Sequence, residues 1–163
     1  MGKPHTALAC LALSLATALL GIYAGAQVTE GAVLVPYWRS LPASEFLAWY
    51  AANDARLLGF FGPLTTATAL VIVAAATIAA WARHPGRWSA LAAAALTIVA
   101  VAMFFVYFER TNASFAAATI APTDVPAELA RWATWHWART AISLAALAAG
   151  FLSLWRSFGS AAD

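Results

Sequence analysis

The sequence predicts an all-α, polytopic membrane protein: an antiparallel bundle of four transmembrane helices, with an interfacial helix between spans one and two. Three observations predict it. The 163 residues are 63% hydrophobic and only 10% charged, where soluble domains carry about 25% charged residues. The apolar residues gather into four runs, each long enough to supply the roughly 20 residues that cross a hydrocarbon core. The connections between runs are short, which makes successive spans antiparallel neighbours in a single domain, 1–163. Mean hydropathy is +0.76. The formal charge of +2 is scattered, so no basic run suits nucleic acid.

Span one covers about 7–35 and stops at Pro36-Tyr37-Trp38-Arg39. Lys3 ahead of an apolar run and Ala24-Gly25-Ala26 have the form of a signal peptide and its cleavage site. The apolar pattern continues past that point, so the stretch is read as an uncleaved first span. Tyr23, Gln27 and Glu30 stand at i, i+4 and i+7 and make one polar face. Gly21, Gly25 and Gly31 are places where a neighbouring helix can come close. A buried Glu30 is expensive unless neutralised or paired. The alternative is a hydrated position at the membrane interface.

Ser40-Leu41-Pro42-Ala43-Ser44-Glu45 has the pattern of a helix start, with a Ser cap, an early Pro and an acid in the first turn. Phe46, Trp49, Tyr50 and Asn53 follow at the spacing of an amphipathic interfacial helix. Gly59-Phe60-Phe61-Gly62-Pro63 is expected to break or kink it before span two, about 62–82. Thr65, Thr66 and Thr68 can bond back to the preceding turn and read as structural. Arg83-His84-Pro85-Gly86-Arg87 is a tight basic turn into span three, about 88–110, which ends at Glu109-Arg110-Thr111-Asn112. Asn112-Ala113-Ser114 matches the glycosylation pattern only weakly. Residues 113–125 read as a loop. Asp124, Pro126 and Glu128 announce span four, about 126–156.

Trp132, His136, Arg139 and Ser143 fall at i, i+4, i+7 and i+11, one face near the mouth of span four. Connectivity puts Glu30, Asn53, Glu109, Asn112, His136 and Arg139 toward the same end of the bundle. Two readings stand side by side: an interior site or an ordinary buried hydrogen-bond network. The ionisable members favour the site. No di-iron Glu-x-x-His pattern is present, His5 and His84 belong at the other end, and Cys10 stands alone. General acid–base work fits better: His136 with Glu30 or Glu109 as the titratable groups, and Arg139 either a fixed positive charge for an enolate or phenolate or the partner of a salt bridge to Glu30 or Glu109, roles that can coexist. Trp132, Trp135 and Trp137 either wall a flat aromatic substrate or anchor at the interface. Lys and Arg counts nearly tie between the two ends. The short basic turn tips orientation toward cytoplasmic termini in a bacterial inner membrane.

The chain resembles the DUF1772 family, whose members include anthrone oxygenases. The resemblance rests on Val35-Pro36 with an aromatic just after, Leu41-Pro42, Phe46, Asn53, Asn112, and Trp132, His136 and Arg139 opening span four. It departs at Phe108–Asn112, where the family carries a Pro shortly before the Asn. The resemblance implies oxidation of a small lipophilic aromatic by O2 with no metal or organic cofactor. His136, Arg139, Asn112, Glu109 and Glu30 would be catalytic, with Trp132, Trp135, Asn53, Tyr23 and Gln27 around the substrate. Other classes remain: a non-enzymatic binding, transport or accessory subunit, or a metal- or haem-binding redox subunit. Membrane lipid is an expected partner in every case.

Overall fold

A computed structural model describes residues 3–159. Beyond span four the sequence reads as a short polar tail, 156–163, of which residues 160–163 lie outside the described residues. All regular structure among the described residues is helical: α1 (Lys3–Thr29), α2 (Val35–Ser40), α3 (Ala43–Trp81), α4 (Arg87–Met103), α5 (Glu109–Ala116) and α6 (Val125–Gly159). Wide π turns at Glu30–Leu34 and Phe104–Phe108 join α1 to α2 and α4 to α5 without a break. Four rods result, His5–Ser40, Ala43–Trp81, Arg87–Ala116 and Val125–Arg156, each long and apolar enough to cross a membrane. The protein is an integral membrane protein built as a four-helix bundle.

Each rod's ends have a local cause. Val35 N–H reaches back to Glu30 O, one residue further than in an α-helix. The first turn of α2 then takes in Pro36, where a missing N–H is tolerated. Helix therefore continues through Pro36, which the sequence reading took as the end of the span. The rod stops at Leu41, which is extended (φ −83°, ψ 146°), as a residue before proline prefers. Ser40 does not cap α3. Its hydroxyl donates to Tyr37 O at 2.7 Å, and α3 begins behind Pro42 with no side-chain cap.

The expected interfacial helix is the first half of α3. It does not end at Gly59–Pro63: α3 is one helix of 39 residues with Pro63 inside it. At 1.5 Å per residue that is roughly 58 Å, against about 30 Å of hydrocarbon. The half carrying Trp49, Asn53 and Asp54 thus stands beyond the apolar half from Leu64 to Trp81.

Two apolar clusters hold the bundle. The first is built of small side chains from all four rods, including Ala16, Ala75, Ala76, Ala90, Ala93 and Ala146, with Leu13, Leu20 and Ile72 between them. Small residues let helices approach closely where lipid gives no hydrophobic drive for association. The second is aromatic: Trp38, Phe46, Tyr50, Phe108, Phe115 and Trp132. Trp38 meets Tyr50 and Trp132 edge-on at 5.8 and 5.5 Å.

At the end away from the aromatic cluster, the turn after α3 is pinned from both sides. His84 is 1% exposed. Its Nδ1 accepts Gly86 N–H at 3.0 Å, which leaves the proton on Nε2, 3.7 Å from Cys10 Sγ on α1. Gly86 must stay bare, because a Cβ there would run into the backbone carbonyl of Ser153. Burial holds the His84 imidazole below its ordinary value of 6.5. The native state therefore binds fewer protons than the unfolded state, and stability falls as pH drops below about 6.5. Thermal unfolding in detergent between pH 7.5 and 5 should show that loss, and His84→Gln should flatten it.

Candidate functional site

Between the two clusters lies a layer of buried polar side chains. On the first rod it occupies the stretch between Leu20 and Val35; on α6 it occupies the stretch between Trp132 and Ala146. Tyr23, Gln27, Glu30, His136, Arg139, Thr140 and Ser143 are all buried. The α6 hydroxyls are satisfied locally: Thr140 donates to His136 O and Ser143 to Arg139 O, each at 2.9 Å.

Arg139 is the centre. Its Nη2 donates to Gln27 Oε1 at 3.0 Å and lies 3.2 Å from His136 Nδ1. Glu30 Oε2 stands 3.6 Å from the same nitrogen, close enough for attraction and too long for a good hydrogen bond. The guanidinium carbon also sits 4.1 Å over the Phe108 ring, a cation–π contact of the kind that burial strengthens.

His136 is wholly buried. Its Nε2 is 2.9 Å from the backbone carbonyl of Gln27. A carbonyl only accepts, so the proton is assigned to Nε2, and Nδ1 presents its lone pair to Arg139. The imidazole in this arrangement is neutral, and its 3.5 Å approach to Glu30 Oε2 is a proximity rather than an ion pair. Trp132 stacks on its face at 5.0 Å and 9°. Gly31 explains why the ring can come so near the first rod. A Cβ at position 31 would meet Trp137 Cζ2 at 2.9 Å and His136 Nε2 at 3.0 Å.

A cavity of about 470 Å³ opens beside this layer, walled by the first rod, α3, the α4–α5 rod and α6. That volume falls within the roughly 300–1,000 Å³ of small-molecule pockets. Tyr23, Gln27, Glu30, Trp132 and Arg139 line it, together with Glu109 and Asn112. Glu30 is 6% exposed and Arg139 9%. Glu30 Oε2 and Arg139 Nε have no hydrogen-bond partner among the described residues. Such orphaned polar atoms are costly to bury, and here both belong to side chains on a cavity wall.

The structure sorts the sequence-predicted residues. Glu30, His136 and Arg139 come together, with Gln27 and Tyr23 beside them. His136 stands behind Glu30 and Arg139, off the cavity wall. Glu109 is exposed and borders the cavity at its rim. Asn112 lines the cavity, but its Oδ1 accepts the Trp132 indole N–H at 2.8 Å. It lies in helix α5, not in the loop that the glycosylation pattern would need. Two expected substrate contacts are elsewhere. Trp135 stacks flat on Tyr107 at 4.9 Å. Asn53 donates to Trp49 O at 2.8 Å and faces a separate groove between the first rod and α3.

Tyr50, Asp54 and Gly31 were not singled out as site residues. Tyr50 and Asp54 line the cavity and stand at i and i+4 on the face already marked by Phe46, so the helical spacing held the signal. Gly31 was marked as a point of close helix approach, which is its role here, but was not tied to His136. Among the described residues no three His, Cys, Asp or Glu side chains gather as a metal-ligand set. Compared with protein-family models, curated proteins and solved structures, the chain matches none of them.

Gly31→Ala should push the imidazole off the Gln27 carbonyl, at a cost of about 1–3 kcal/mol by overpacking. Thermal unfolding reads the cost. The histidine side-chain NMR signal should report loss of the Nε2–H bond, while Gly25→Ala, where a Cβ meets nothing within 4 Å, serves as the neutral control.

Proposed function

We propose that the protein is an intramembrane enzyme that deprotonates a small, lipophilic hydroxyaromatic and delivers the resulting carbanion to O2, as the DUF1772 resemblance and its anthrone oxygenases imply. The observation that supports the reading is one cavity walled by the side chains of both Glu30 and Arg139, each with a polar atom that makes no hydrogen bond among the described residues. One accepts a proton or hydrogen bond. The other donates to an oxygen on which negative charge develops.

The roles differ from those expected by resemblance in one respect. His136 has its lone pair turned to Arg139 and its N–H to Gln27 O, so Glu30 is the better base and His136 holds Arg139 in place. Glu30 takes a proton from the methylene of an anthrone-like substrate. Arg139 stabilises the enolate oxygen. The carbanion reduces O2 and bonds to it, giving a peroxide anion that takes the proton back from Glu30. Loss of water from the hydroperoxide carbon leaves the ketone. The sum is substrate CH2 plus O2 to C=O plus H2O, with oxygen as the only oxidant. We place the termini on the cytoplasmic side of a bacterial inner membrane in this reading.

Purified protein in nanodiscs should consume O2 with an anthrone. Glu30→Gln, nearly isosteric, should slow turnover by at least about 100-fold, the scale of general-base catalysis, when assayed below its thermal midpoint, which should fall because Arg139 loses its counter-ion. Equal O2 uptake by wild type and Glu30→Gln would remove the base from this site. Binding of the anthrone without O2 uptake would instead assign a carrier.

A further inference from the structure

The cavity is not a compact hole around Glu30 and Arg139. Its walls run along two rods. On α3 they extend from Asp54 past Gly62 to Thr66, and on the neighbouring rod from Asn112 back to Ala100. At 1.5 Å per residue each stretch is roughly 18 Å long. The two ends differ in chemistry. The end at Glu30 carries the carboxylates and Arg139. The other passes between α3 and α4 toward the apolar half of the bundle, with exposed Leu58 (56%) and Phe105 (65%) along the way. There is room beside Gly62: a Cβ there would meet only Leu58 Cδ1, at 3.9 Å.

We infer that the cleft takes an amphiphile: a hydroxyl-bearing aromatic head at Glu30 and Arg139, and an extended apolar tail lying between α3 and α4, entered sideways from the bilayer. The inference rests on the ligand-binding part of the reading above and deepens it by naming the substrate class. A hydroxyl at this wall can donate to the Glu30 carboxylate and accept from the Arg139 guanidinium. A phosphodiester group offers acceptors only, so it would set an anion against the Glu30 carboxylate, which favours a hydroxyl-bearing head without a phosphate.

The test uses two phenols, 4-methylphenol and 4-octylphenol, titrated calorimetrically into the full chain in nanodiscs of one lipid composition. Gly62→Leu fills the tail channel from α3, and Val101→Phe fills it from the half-exposed opposite wall. Each should weaken 4-octylphenol by about tenfold, the size of one overpacked contact, and leave 4-methylphenol unchanged. Comparing variants at fixed lipid cancels the greater partitioning of the longer probe. Should Gly62→Leu fail to fold, Val101→Phe carries the same comparison. If both variants bind the octyl probe as wild type does, or lose both probes equally, the tail channel is wrong while the head site stands. If wild type binds neither phenol, the head site fails and takes the tail channel with it.

Discussion

A guanidinium buried in a membrane bundle is the constraint around which the rest is arranged. Removing such an ion from water costs several kcal/mol even after relaxation. Arg139 recovers part of that through Gln27 Oε1, the His136 lone pair, the Glu30 carboxylate and the Phe108 ring. None of these is on the surface, so salt and water do little to screen them. The groups come from α1, the first π turn, the second π turn and α6. The charge thus ties together three of the four rods at one depth.

Both π turns lie at that depth. The first starts at Glu30 and is followed by Gly31, so carboxylate and close imidazole approach share one widened turn. The second ends at Phe108, the ring under Arg139. Such turns are rare and cluster at functional sites. Here the physical reason is visible: an extra residue re-aims the side chains that follow, without breaking the backbone ladder that a bilayer demands. Above and below, the aromatic and alanine-rich clusters hold the layer in place by packing.

Much of this was legible from residue order. Four apolar runs and their short turns define the bundle because span length is set by the bilayer. Helical spacing put Tyr23, Gln27 and Glu30 on one face, and His136 with Arg139 on another. Spacing fixes a face, but not a depth or a partner. Glu109 therefore came out at the rim, and Asn53 turned to another groove. Pro36 and Pro63 misled because a proline's local preference yields to its surroundings, one by a π turn and one by inclusion in a long helix. Which imidazole nitrogen keeps the proton depends on a carbonyl 109 residues away in sequence, and no local pattern encodes it. Gly31 was legible as a point of close approach, but not which side chains of the neighbouring helix would fill it.

The charge balance of the layer bears on the proposed chemistry. With His136 neutral, Arg139 and Glu30 cancel, and the buried layer carries no net charge. Moving a proton from a neutral ligand to Glu30 leaves a neutral carboxyl, a cationic Arg139 and an anionic ligand, which again cancel. Charge moves from the carboxylate to the ligand oxygen while the total stays at zero, so no counter-ion has to enter a region where an unpaired charge is prohibitive. A base of the opposite type would behave differently. Protonating His136 beside Arg139 would place two cations 3.2 Å apart in the same low-dielectric layer, and the imidazole would have to give up its hold on the guanidinium to do so. The neutral imidazole is therefore most useful as it stands, a fixed dipole between a backbone carbonyl and a charge, with proton exchange left to the carboxylate that faces the cavity.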